Sequence, residues 1–392
     1  MKIVHIITRM IIGGAQENTL FNCLDLATDF GDQVTLITGP TEGPEGKLLQ
    51  RLSESQRSRI NVETVPSLCR EIHPWNDPNA YRQLKRLLHR LQPDVVHTHS
   101  AKAGILGRLA AWKRKVPAVV HTVHGAPFYE YQNRAAYWSY RWCEWYAAKH
   151  CHHLISVADA MTDLMVKANV ASPDKFTTIY SGMDVQPYLN ATQLRQESRQ
   201  KLGFSPQDIV VGKIARLAPL KGHEYLLAAA PKLIQQNPNI RFLLVGNGSL
   251  TEQIQQQIRA AGLQDHFVLT GLVDPAEVPE MVAAMDLVVH TSLREGLARV
   301  LPQSLLAGLP VVSFDIDGAR EVCISNETGW LIPAKDQLIL TEKILDLAND
   351  PEKRQRMGRA GQLRFQEQFD HHFMTRRIRE VYQQVLEGEK QA

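Results

Sequence analysis

No run in this 392-residue sequence is long and apolar enough to read as a membrane span. The opening MKIVHIITRM also lacks the apolar core of a secretory signal, and it is expected to form a first strand. Cysteine is scarce and unpatterned: Cys23, Cys69, Cys143, Cys151 and Cys323 are odd in number and show no CxxC spacing. Neither a disulfide framework nor a zinc site is indicated, and a reduced, cytoplasmic protein is expected. Charge of one sign is lacking too, with a formal net charge of +3. The first 185 residues hold a small basic excess, which permits attraction to an anionic acceptor or a membrane surface, whereas nucleic-acid binding finds no support. Low-complexity tracts and short-period repeats are absent, and a hydrophobic content of 44% excludes wholesale disorder. The GxGxxG of dinucleotide enzymes and the GxxxxGK of P-loops are missing, which removes the main support for a nicotinamide enzyme or an ATPase.

What is present is an alternation. Short β-branched runs (KIVHIIT, QVTLIT, DVVHTH, AVVHTV and HLISV, then DIVVGKIA, RFLLVG, DLVVHT and VVSF) are separated by longer amphipathic stretches, as buried parallel strands separated by helices are. The length favours two such α/β cores. The rhythm breaks between Gly182 and Pro187, which predicts a first domain over residues 1–185 and a second over 186–370. The tail from PEKRQ onward reads as two helices, the last (371–392) expected to pack back onto the first domain.

Several features point to a bound anion. Gly13-Gly14 stand between the first strand and a helix with Leu20, Leu24 and Ala27 on one face. Paired glycines let the backbone approach a phosphate, and a helix N-terminus offers N–H groups and a positive dipole end; a simple tight turn accounts for them equally well. FLLVGNGSL repeats the arrangement with Gly246 and Gly248. In KIARLAPLKGHEYLL, Arg216 and Lys221 leave a strand on one loop, where two cations suit a departing diphosphate, or lie solvated. Glu295-Gly296 follow the strand DLVVHT, and a carboxylate at the C-terminal end of a parallel strand faces the crevice where such sheets bind ligands.

With GGAQE, DVVHTHS, HTVHG, IYSGMD, ARLAPLKG, LLVGNG, TGLV, SLREGLARVLPQSLLAG and TGWLIP in this order, nearly the whole chain resembles the glycogen-synthase-like retaining glycosyltransferases of family 4. The resemblance implies an α/β GT-B fold, two Rossmann-like domains facing across a deep cleft. It implies that Gly13 and Gly14 meet the donor phosphates and that Arg216 and Lys221 stabilise the leaving diphosphate. Glu295 then binds donor-sugar hydroxyls, the amides of Gly296, Leu297 and Ala298 support sugar and phosphate, and Gly246, Asn247, Gly271, Leu272 and Val273 lie near the base. His124 matches the histidine that contacts the donor sugar, and with Arg216, Lys221 and Glu295 it forms the implied catalytic set. One position departs. Eight residues after Glu295 the family carries a second glutamate on the ribose, and this chain has Gln303, which accepts or donates one bond without charge assistance.

Other clusters read more plainly. His97, His99 and His121 end or lie within strands and read as structural or acceptor-side. KHCHHLIS leads straight into a strand, and consecutive residues rarely converge on one ion, so no metal is assigned there. The stretch FYEYQNRAAYWSYRWCEWYAAKH reads as a large core-facing helix, with an acceptor groove or an interfacial face as the alternative, and Lys113-Arg114-Lys115 as a helix end.

The expected reaction is transfer of a sugar from a nucleotide-diphosphate donor to a hydroxyl acceptor, saccharide or lipid-linked, in polysaccharide, lipopolysaccharide or glycolipid synthesis. Retention is expected through same-face substitution. No DxD motif is assignable to a metal-bound diphosphate, so neither a cofactor nor a divalent metal is expected. Peripheral contact with the inner face of a membrane is expected to run through the first domain. A sugar-nucleotide epimerase-hydrolase and a non-catalytic sugar-nucleotide-binding protein are the rivals.

Overall fold

The nine β-branched runs become nine parallel strands in a computed structural model that describes residues 1–41, 46–129 and 132–391. Glu130 and Tyr131 of the aromatic stretch lie outside the described residues. The chain divides into two compact units, Met1–Met183 with Phe369–Ala392, and Asp184–Gln368.

The first unit holds a seven-stranded parallel sheet: β1 (Lys2–Ile7), β2 (Gln33–Thr38), β3 (Asn61–Thr64), β4 (Val95–His99), β5 (Ala118–Val123), β6 (His153–Ser156) and β7 (Phe176–Thr178), in the order β3-β2-β1-β4-β5-β6-β7. Order reverses between β1 and β4, the switch point where open α/β sheets bind ligands beyond their strands' C-terminal ends. Period-two alternation sends Ile3 and Ile7 of β1 into one apolar cluster and Val4 and Ile6 into the other. The helix His371–Gln391 lays Met374, Ile378, Val381 and Tyr382 into the first of these clusters, beside the helix Gly14–Asp29.

The second unit holds β8 (Ile209–Ile214), β9 (Ile240–Val245), β10 (Phe267–Gly271), β11 (Leu287–His290), β12 (Val311–Phe314) and β13 (Gly329–Ile332), ordered β10-β9-β8-β11-β12-β13 and again parallel. Its core centres on Val211, Phe242, Leu287, Val289, Val312 and Phe314. Each unit is thus a Rossmann-like sheet with its own core.

The aromatic helix corrects an expectation. Arg134–Ala148 turns Glu144, Ala147 and Ala148 inward and leaves Trp138 54%, Trp142 59% and Tyr146 39% exposed. It docks on the helix Ala101–Lys113 through small residues and through Arg108 and Glu144, a buried ion pair of 2.7 Å, so its rings are not core. Among the described residues no helix is long and apolar enough to cross a membrane.

Candidate functional site

Within the first unit, the helix after β1 begins at Gly14, and no side chain caps it among the described residues. Gly13 is extended (φ 173°), a conformation open to any residue, and a Cβ there would meet the Gln16 side chain at 2.8 Å. Its backbone conformation therefore does not demand glycine.

His124 follows β5 at the sheet's C-terminal end, half-buried, with its Nε2 3.1 Å from Nδ1 of His99. His99 continues through Nε2 to Nδ1 of His5 at 3.0 Å. Alternation along β1 and β4 brings His5, His97 and His99 to one face of the sheet. His97 is held by Tyr382 Oη (2.5 Å) and Thr122 Oγ1 (2.7 Å). Burial pushes His5 down to about 3 and His97 and His99 well below the usual imidazole range, with neighbouring imidazoles adding to the effect for the latter two. A neutral imidazole donates from one nitrogen and accepts at the other, so the tautomers of His5, His99 and His124 are coupled. His121 faces the opposite side, its Nδ1 2.9 Å from Thr98 Oγ1.

KHCHHLIS disperses its ligands. Nδ1 of His150 lies at the Tyr146 carbonyl, that of His152 accepts from Val119 N–H, Nε2 of His153 meets Thr177, and the Cys151 thiol points at backbone carbonyls. These four do not converge on one ion.

Within the second unit, β8 carries a lysine into the core. Lys213 is 1% exposed, and its Nζ donates to Thr291 Oγ1 (2.7 Å), which donates in turn to the Gly222 carbonyl (2.6 Å). Burial, then the Lys221 charge, brings this ammonium down to about 7. Gly222 sits at φ +66°, and a Cβ there would fall 1.8 Å from the Thr291 carbonyl, so only glycine lets the cation loop close onto the end of β11. The Leu293 N–H donates to the Leu220 carbonyl (2.8 Å) and completes the clamp.

That clamp brings together two of the expected residues: Lys221 Nζ pairs with Glu295 Oε1. His290, at the end of β11, has its Nε2 4.0 Å from the same oxygen and is pushed down to about 3 by burial and then by Lys213 and Lys221. The Glu295 N–H donates to Asp317 Oδ2 (2.6 Å), and the Gly318 N–H to the Gly296 carbonyl (3.0 Å), fixing the Glu295–Ala298 loop on the loop after β12. Burial raises the Asp317 carboxyl above its ordinary range. In the triplet Asp315-Ile316-Asp317 the first carboxylate is paired with Arg320 and the second is turned to this amide.

Arg216 lies exposed at the start of the same loop. Gly246, at φ +136°, would carry a Cβ 2.2 Å from the Ala215 carbonyl, so the turn after β9 packs directly on the backbone beside Arg216. The Gly246 N–H donates to the Gly271 carbonyl (3.0 Å) and the Leu217 N–H to that of Asn247 (3.1 Å), joining three of the expected segments. Leu272 is exposed and Val273 half-buried beside them. Gln303 lies in the helix Val300–Leu306, whose other six residues are all buried, and is its one half-open position. Lys213, His290, Thr291 and Asp317 escaped the sequence reading; a lysine inside the β-branched run VVGKIA was the available signal for the first.

The family model described as glycosyl transferases group 1 matches residues 195–364, and that described as glycosyltransferase family 4 matches residues 12–187. The chain is 30% identical over 339 residues to the UDP-Gal:alpha-D-GlcNAc-diphosphoundecaprenol alpha-1,3-galactosyltransferase of Escherichia coli, covering 86% of this chain and 85% of that protein. It is 22% identical to the capsular polysaccharide biosynthesis glycosyltransferase CapM of Staphylococcus aureus, over 83% of this chain and 86% of the other. Among solved structures, the Anabaena protein HepE in complex with UDP and glucose matches with a TM-score of 0.81 at 23% identity, over 97% of this chain and 99% of that one. These likenesses favour sugar transfer over the epimerase-hydrolase and the non-catalytic readings.

Proposed function

Because this chain belongs to the group 1 glycosyltransferases of family 4, we propose that its reaction is a metal-independent hexosyl transfer with retention, from a nucleotide-diphosphate sugar to a saccharide or lipid-linked hydroxyl. The Lys221–Glu295 pair at the strand ends of the second unit carries this reading. Glu295, paired with Lys221, accepts hydroxyls of the donor sugar. Lys221 and Arg216 face charge that grows on the leaving diphosphate, where preorganised cations lower a barrier most. In the first unit, the family resemblance assigns the helix N-terminus at Gly14 to phosphate charge, which helix N-termini favour, and His124 to the donor sugar. The leaving diphosphate takes the acceptor proton on the same face, which needs no carboxylate beneath the anomeric carbon.

UDP-galactose and a GlcNAc-diphospho-lipid are the first substrates to test, from the Escherichia coli relative. A lipid-linked acceptor also fits the exposed rings of Trp112, Trp138, Trp142 and Tyr146, interleaved with Arg141 and Lys149. Amphipathic aromatics with cations favour an anionic membrane interface, and peripheral contact at the cytoplasmic leaflet is proposed from them. Thermal melts with UDP-, GDP- and ADP-sugars test the donor: one nucleotide class raises the melting temperature by mass action, and the absence of any shift contradicts the proposal.

A further inference from the structure

The helices Gly14–Asp29 and His371–Gln391 meet at a cluster that the transfer reaction does not use. Asp25 and Asp29, one turn apart, face His371 and His372 at the start of the second helix. His371 Nδ1 lies 2.8 Å from Asp25 Oδ2, and His372 Nδ1 lies 2.6 Å from Asp29 Oδ2 and 3.7 Å from Asp25 Oδ1. Ligand atoms of Asp25, His371 and His372 all fall within 4.8 Å of one another. Phe21 stacks on the His371 ring at 4.4 Å, and Thr375 Oγ1 donates to Asp25 Oδ2 (2.9 Å), so ring and carboxylate are both oriented from outside the cluster.

We propose that this cluster is a structural zinc site, with Nδ1 of His371 and His372 and a carboxylate oxygen of Asp25 as the converging ligands, and with Asp29, which among these residues meets His372 alone, turning in to fill the fourth position when the ion enters. Two imidazoles and two carboxylates are a zinc donor set, and the nitrogens disfavour magnesium and calcium. Bonds of 2.0–2.1 Å at tetrahedral angles place ligands about 3.3 Å apart, inside the spread of the distances above. The charge closes as well: the dication meets two carboxylates, and a proton on a ligating Nδ1 moves to Nε2 of the same ring or to solvent. Asp25 is buried, whereas His372 and Asp29 open to solvent and give the ion a way in. The other convergent trio among the described residues, His5, His97 and His99, is occupied by contacts among its own rings and with Tyr382, Thr122 and His124, and is sealed in the core. The ion would clamp the last helix to the first and take no part in sugar transfer.

Chelator-stripped full-length protein titrated with zinc chloride tests this, by calorimetry and by melting temperature, with magnesium chloride as the control. One zinc per chain is expected, with a rise of roughly 3 °C or more at saturation and none with magnesium. Asp29→Asn and His372→Ala, both at open positions, should melt normally without zinc and bind it tenfold or more weakly, an approximate figure. A wild-type protein that zinc does not stabilise, or variants that bind zinc as tightly as wild type, overturns the site.

Discussion

Lys213 shows what one buried charge does to this molecule. Below about pH 7 the lysine is protonated in folded and unfolded chains alike, and the folded chain bears a buried ammonium. Above about 7 the folded chain has released that proton while the unfolded chain keeps it up to the ordinary lysine range, so the unfolded state binds more protons and stability rises with pH across that window. Lys213→Met is expected to flatten this rise, read as melting temperature between pH 7 and 10; an unchanged slope would contradict the assignment. Arg216→Ala and Lys221→Ala are each expected to lower turnover at saturating donor by about a hundredfold, whereas near-full turnover would remove them from the leaving-group site. Gln303→Glu should change donor affinity by at most about 1.5 kcal/mol, roughly tenfold, because the residue binds rather than reacts; calorimetry of donor binding checks it. Glu295 and Lys221 were legible because each sits in a loop directly after a β-branched run. Lys213 and His5 were not, because a polar residue inside such a run acquires meaning only once sheet order shows which neighbours it meets.

At the scale of elements, the strands that sequence pattern did not reveal are β3, β7, β10 and β13, which are the four sheet edges. An edge strand is covered on fewer sides, so NVET has no buried position, and FTT, FVLTG and GWLI set half-buried positions beside one or two buried ones. The interior strands, buried on both faces, announced themselves. The helix 134–148 was misread for the converse reason: aromatic spacing resembles a core stripe, and only the docking of Ala147, Ala148 and Glu144 shows that the rings lie outside. Trp138→Ser with Trp142→Ser should therefore shift stability by less than about 0.5 kcal/mol each and weaken sedimentation with anionic vesicles. Unfolding of the double variant, or undiminished vesicle binding, would argue against an interfacial face.

At the scale of the whole molecule, two parallel sheets with separate cores each present loops at their strands' C-terminal ends, and most of the expected donor residues fall on or beside those loops, with Gln303 on the helix Val300–Leu306 as the exception. The fold followed from the alternation of short apolar runs and helices, but the chemistry needed the loops after β1, β5, β8, β9, β11 and β12. The central claim is retaining, metal-independent sugar transfer. Its most direct test is the anomeric configuration, by NMR, of the product formed from UDP-galactose and a GlcNAc-diphospho-lipid in the presence of EDTA. An α-linked product formed at undiminished rate is predicted. A β-linked product, or transfer abolished by EDTA and restored by magnesium, would contradict the account.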